Sequence, residues 1–144
     1  MGETVRLSAT DEETNLVQAA KKIALLTIAI AYERYGADLE KQQEVVMNIS
    51  DIIMEVFAME SSLLRSRKFA ASDNKNNVAD ICSVFLRDAM HRIAISSETV
   101  IGTCSTPTIL PKNLAALRSL AHCLPVNAIA LRRNMANRLL AGAP

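Results

Sequence analysis

QQEVVMNISDIIMEVFAMESSLLR, residues Gln42 to Arg65, is the stretch that decides the fold. Leu39, Val46, Ile49, Ile53, Val56, Glu60 and Leu63 follow 3–4 spacing, with Val45, Ile52 and Met59 on the flank of that stripe. A seam held for several turns predicts a long helix, Asp38 to Ala71, packed antiparallel to neighbours in a bundle. One acid, Glu60, falls on the seam.

Composition points the same way. Half of the 144 residues are hydrophobic, yet there are only two Tyr, three Phe and no Trp, so Ala, Leu, Ile, Val and Met must build the core. The strong helix formers among them favour an all-α fold. Four Gly and four Pro leave little material for tight β-turns. The length fits one domain, residues 1–144. A formal net charge of +1 supplies no field that would draw the chain to nucleic acid.

The other elements follow from local signals. A first helix is predicted over Asp11 to Tyr35, with Thr10 and Glu13 at capping-box spacing and Gly36 as its stop. Leu16, Ala20, Ile23, Thr27 and Ile30 form its stripe; Ala24, Leu25, Ile28 and Ala31 widen it, so the helix should be covered on two sides. Ser72 to Asn77 is polar and rich in residues that compete with helix hydrogen bonds, hence a loop. A third helix is predicted from Val78 to Thr99, with Ile81, Cys82, Phe85, Ala89, Ile93 and Ser96 inward. Gly102 to Pro111 reads as a non-helical crossover. The last helix starts near Lys112, with Leu114, Leu117 and Ala121 inward, and is broken near Pro125, whose ring removes a donor and clashes with the preceding turn. Ile129, Arg133, Ala136 and Leu140 share a face beyond the break. The expected architecture is an antiparallel four-helix up-and-down bundle.

No chemical constellation emerges. A di-iron bundle needs carboxylates plus Glu-x-x-His on two helices, and this chain has only His91 and His122. Asp88-x-x-His91 carries the wrong acid, and Ser119-x-x-His122 carries none; His91 reads as a surface residue and His122 as a helix-end one. Ser61-Ser62, Ser96-Ser97 and His122-Cys123 are adjacent pairs, which diverge by about 100° on a helix and cannot face each other. No glycine-rich phosphate loop occurs. Cys82, Cys104 and Cys123 are an odd set without metal spacing and read as reduced thiols of a cytosolic protein. The apolar stretch Ile23 to Tyr32 is far shorter than the ~20 residues of a membrane span. No catalytic, cofactor-binding or metal residue is therefore assigned.

Charged groups supply the interface candidates. A buried carboxylate on an apolar seam must be paired or protonated, so Glu60 either has a basic partner, with Arg34, Arg92, Arg132 and Arg133 as candidates, or lies at the edge of the seam where its long side chain reaches solvent. Asp51 and Glu55 are an i,i+4 like-charge pair that needs solvent or a partner. Arg65-Ser66-Arg67-Lys68, and Arg132-Arg133 with Arg138, complement helix C-termini; an anionic membrane surface or an acidic partner is the sharper alternative.

Two runs resemble a known family. Tyr35-Gly36, Leu39, Gln42-Gln43, Asp51 to Glu55, Ala58 to Ser61 and Leu64-Arg65, then Pro125-Val126-Asn127 and Ile129 to Arg133, resemble the C-terminal extension of bacterial long-chain-type acyl-CoA dehydrogenases, similar to the very-long-chain subgroup. The likeness runs from about Leu16 to Leu140. It implies a piece of a larger flavoenzyme, with FAD and the catalytic glutamate in upstream domains and no catalytic residue here. The implied partners are the catalytic domain of the same enzyme and a further copy in a homo-oligomer. Peripheral contact with the inner face of a membrane is a further expectation in an otherwise cytoplasmic setting. Glu60, Arg65, Asn127, Arg132 and Arg133 are the structural or interface candidates, and the Ile23–Ala31 face the expected docking side. The alternative is a free-standing helical adaptor that binds a partner protein.

Overall fold

The computed structural model describes residues 9–69 and 75–142. They form five α-helices: α1 (Ala9–Tyr35), α2 (Gln43–Phe69), α3 (Lys75–Cys104), α4 (Leu110–Ala121) and α5 (Ala128–Ala141). A 3₁₀ turn, Gly36–Lys41, joins α1 to α2, and no strand occurs among the described residues. The fold of the described residues is all-α.

α1 begins at Ala9, which places Thr10 inside the helix instead of at its cap; Asp11 and Glu12 put their charge in the first turn. Gly36 stops it by taking φ of +52°, a left-handed conformation that costs other residues energy. The chain does not pass straight into the long helix predicted from Asp38. Lys41 pairs with Asp38 at 2.7 Å and the Gln42 amide donates to the Leu39 carbonyl at 2.9 Å, so α2 starts only at Gln43. The predicted end at Ala71 lies outside the described residues.

The seam of α2 is also displaced. Val45, Ile52, Met59 and Leu63 are the buried residues, with Ile49 and Val56 packed against the core, while Ile53 is half exposed. The residues expected at the flank thus form the centre. Val45-Val46, Ile52-Ile53 and Leu63-Leu64 are adjacent apolar pairs, so two seams are legible in the sequence. Packing against α1 and α3 selects one of them.

α3 is the hub. Among the described elements it touches every other α-helix, whereas α2 touches only α1, α3 and the 3₁₀ turn, and α5 touches only α3. Leu86, Ala89, Met90, Ile93, Ser97, Val100 and Ile101 are almost completely buried on it. The helix outruns its predicted span at both ends. Lys75–Asn77 of the expected loop are helical, and Ser72 to Asn74 lie outside the described residues. At the other end Val100, Ile101 and Cys104 are buried on the core, each apolar side chain being worth about 1.5–3 kcal/mol when fully buried. That outweighs the ~1 kcal/mol propensity cost of Gly102. The crossover therefore shrinks to residues 105–109. Pro111 sits in the first turn of α4, where its missing donor costs nothing. Ile81, expected inward, is half exposed, and Ser97 takes the buried place expected for Ser96.

The break at Pro125 separates two helices, α4 ending at Ala121 and α5 beginning at Ala128. Beyond it the Ile129–Leu140 face is not covered: the two residues are 65% and 75% exposed. α1 with the 3₁₀ turn is long and apolar enough, by length and composition, to cross a membrane, a longer stretch than Ile23–Tyr32. Its apolar stripe is used inside the bundle, however. Ile23, Ala24, Thr27, Ile30 and Ala31 are buried against its neighbours, and only Leu25 among the widening residues faces out fully.

Candidate functional site

The five interface candidates do not converge. Glu60 and Arg65 stand on α2, Asn127, Arg132 and Arg133 at or on α5, and those two helices do not touch. Glu60 pairs with Lys21 of α1 at 2.5 Å and not with any of the four arginines expected. Its side chain is 44% exposed, so it lies at the rim of the seam, where a lysine stem can lie over apolar surface and leave its ammonium in reach. Arg92 instead grips Glu55 through two bonds of 2.6 and 2.9 Å, a bidentate geometry that raises the guanidinium pKa further, with the Glu55 hydrogen bond as the main cause. This also settles the Asp51–Glu55 pair: Glu55 is neutralised and Asp51 is exposed.

Arg65 is exposed, with its guanidinium 5.5 Å above the Phe69 ring. Asn127 caps α5, its Oδ1 accepting from the Ala130 amide at 3.0 Å. Arg132 bonds Asp88 at 2.6 Å, and Arg138 bonds Asp80 at 3.0 Å, so two surface ion pairs join α5 to α3. Arg133 is exposed.

The residue that sequence reasoning missed is Arg87. Its side chain is 9% exposed, and its donors reach three separate segments. Nη2 donates to Glu12 Oε1 on α1 at 2.9 Å, Nε to the Leu124 carbonyl between α4 and α5 at 2.9 Å, and Nη1 to Ser83 on its own helix. Arg87 thus ties α1, α3 and the Pro125 break together. The signal was present but weak: a lone arginine between Leu86 and Asp88, inside a helix whose neighbours are apolar.

Chemical capacity is limited. Among the described residues no three His, Cys, Asp or Glu side chains stand close enough to share a metal ion. His91 and His122 are both exposed. Burial pushes the Cys82 thiol up to about 11 and moves Cys104 in the same direction, so neither forms a thiolate near neutral pH. Burial also raises the Glu13 carboxyl, against the lowering pull of Arg87. An open groove of about 520 Å³ runs between α2 and α3 past Met54, Ala58, Phe85 and Ile95, and its charged groups include the mutually paired Glu55 and Arg92.

The described residues form a helical domain joined by an apolar core and by inter-helix charge pairs. The comparisons say of which kind. The family described as acyl-CoA dehydrogenase, C-terminal domain, matches residues 19–119, and the chain belongs to that family. A probable acyl-CoA dehydrogenase of Bacillus subtilis (strain 168) is 31% identical over 129 residues, covering 88% of this chain and 22% of that protein. The crystal structure of an acyl-CoA dehydrogenase complexed with FAD from Bacillus anthracis superposes on 98% of this chain with a TM-score of 0.90 at 30% identity. This chain spans 24% of that one.

Proposed function

We propose that this chain is the non-catalytic C-terminal domain of an FAD-dependent acyl-CoA dehydrogenase of fatty-acid β-oxidation, of the long-chain-type subgroup. The observation that carries the reading is the near-complete superposition on one quarter of an FAD-bound acyl-CoA dehydrogenase. The parent enzyme would oxidise a fatty acyl-CoA thioester to its 2-enoyl form with FAD as hydride acceptor. The residues described here do not fit that cofactor. Gly102 lies inside α3, Gly36 and Gly142 terminate helices, and no glycine-rich loop stands ready to cradle a pyrophosphate. No step of the reaction is assigned to this chain.

The domain would pack on the catalytic domain and stabilise the assembled enzyme in the cytoplasm, with peripheral contact at the inner membrane face through the exposed Arg133 and its apolar neighbours on α5. Ile23, Ala24, Thr27, Ile30 and Ala31 of α1 are buried inside the bundle, while Leu25, Ala29 and Tyr32 on the other side of the same helix stay exposed and would be free to meet the catalytic domain. α1 to α4 would form an antiparallel up-and-down bundle. Supporting that order, Thr14 meets Arg67 and Lys21 meets Glu60, so partners descend along α2 as they ascend along α1. The test is an enzyme with this domain deleted. It should retain bound flavin and the chemical step while losing thermal stability; loss of flavin with retained folding would contradict the reading.

A further inference from the structure

We propose that the outward face of α2 is a self-complementary surface that binds the same face of a second copy of this chain, antiparallel, about a two-fold axis between Glu55 and Val56. The proposal begins from what the fold leaves open. Among the described elements, α2 is covered by α1, α3 and the 3₁₀ turn. On its far side Met47, Met54, Phe57 and Leu64 are 63%, 60%, 72% and 59% exposed. With exposed Ser50 and Ser61 they repeat at 3–4 spacing, a second seam on the same helix.

The order along this seam is symmetric. Reversing the helix about its midpoint lays Met54 on the partner's Phe57, Ser50 on the partner's Ser61 and Met47 on the partner's Leu64. Each small residue meets a small one and each large residue a large one. A cyclic two-fold contact of this kind is isologous: each pair occurs twice.

Charge selects the antiparallel sense. One flank of the seam carries Glu44, Asp51, Ala58 and Arg65 in successive turns, and the three charged groups are exposed. Antiparallel docking sets Glu44 beside the partner's Arg65 and Asp51 beside the partner's Ala58. No like charges meet on that flank. Parallel docking would bring neither of these opposite-charge contacts and would align the two helix dipoles unfavourably. The seam from Met47 to Leu64 is about 26 Å long at 1.5 Å per residue, which suits a contact near the lower end of stable interface sizes. The dimer should therefore form in the micromolar range.

This inference is independent of the flavoenzyme reading, because it concerns the 144-residue chain alone. Sedimentation equilibrium over 1–300 μM should show a monomer–dimer equilibrium. Phe57→Lys should abolish it, with unchanged far-ultraviolet circular dichroism as the check on folding. Glu44→Arg and Arg65→Glu should each weaken dimerisation about tenfold or more, and the double variant should restore it, since the swap rebuilds both pairs. A chain that stays monomeric throughout overturns the proposal and leaves the catalytic domain as the occupant of this face. So does a dimer that Phe57→Lys leaves intact, or charge variants that are additive instead of compensating.

Discussion

Replacing Arg87 with Met should cost the domain about 2–3 kcal/mol. Methionine keeps much of the apolar stem and removes the guanidinium, so the loss reports the polar ties. The bond to the Glu12 carboxylate, 2.9 Å, would be worth about 1.5–3 kcal/mol if dry. Glu12 is 35% exposed and can recover water, which reduces that share to roughly 1 kcal/mol. The bond to the Leu124 carbonyl adds ~1 kcal/mol, and the two to Ser83 a fraction more. For a chain of this length each kcal/mol moves Tm by about 3 °C, so a fall of roughly 6–9 °C is expected. Urea unfolding followed by circular dichroism gives the free energy directly. Glu12→Gln alone should cost less than about 1 kcal/mol, and the double variant should lose less than the sum of the two, because they share one bond. A loss below ~0.5 kcal/mol for Arg87→Met, or strict additivity with Glu12→Gln, would refute the idea that this arginine joins α1, α3 and the Pro125 break.

Glu60→Gln should cost under about 1 kcal/mol, because both members of the Lys21–Glu60 pair are more than a third exposed; a loss above 2 kcal/mol in urea unfolding would mean the pair is buried after all. Ser97 is fully buried and its hydroxyl finds no partner among the described residues, so Ser97→Ala should raise stability by about 1 kcal/mol, seen as a higher Tm; a fall would show that the hydroxyl is satisfied. Cys82 gives a pH signature. Its folded thiol is raised to about 11 against 9.0 for the free group, so the folded state holds the proton more tightly. Its contribution is intact below pH 9 and declines as pH rises from 9 towards 11. Stability measured across that window should fall more steeply for the parent chain than for Cys82→Ala; parallel curves would contradict the burial effect.

The helical class was legible because it rests on composition and periodicity, which are local properties. Gly36 could be placed as a stop for the same reason: a left-handed terminus needs a residue without Cβ. The choice of seam on α2 was not legible. Val45-Val46 and Ile52-Ile53 offer two apolar registers, and the choice depends on how α1 and α3 lie, which is tertiary information. The second register was not wasted, since its extension on the far side is the exposed Met47–Leu64 stripe. Boundaries failed where burial overrode propensity, as at Gly102, or where a local ion pair held a different turn, as at Asp38–Lys41. The partner of Glu60 was missed because an arginine was sought for a buried acid, whereas a rim acid needs only a nearby lysine stem. Arg87 was missed because a single arginine in a helix usually snorkels to solvent. Only the fold shows that one face of α3 runs under both α1 and the Pro125 break.

The central claim is that this chain belongs to a flavoenzyme family without itself holding the flavin or the chemistry. Titrating the purified chain with FAD while following flavin fluorescence and the absorbance near 450 nm tests it most directly. The account predicts no quenching, no spectral shift and no oxidation of a fatty acyl-CoA with an added electron acceptor. Stoichiometric, saturable flavin binding would contradict it.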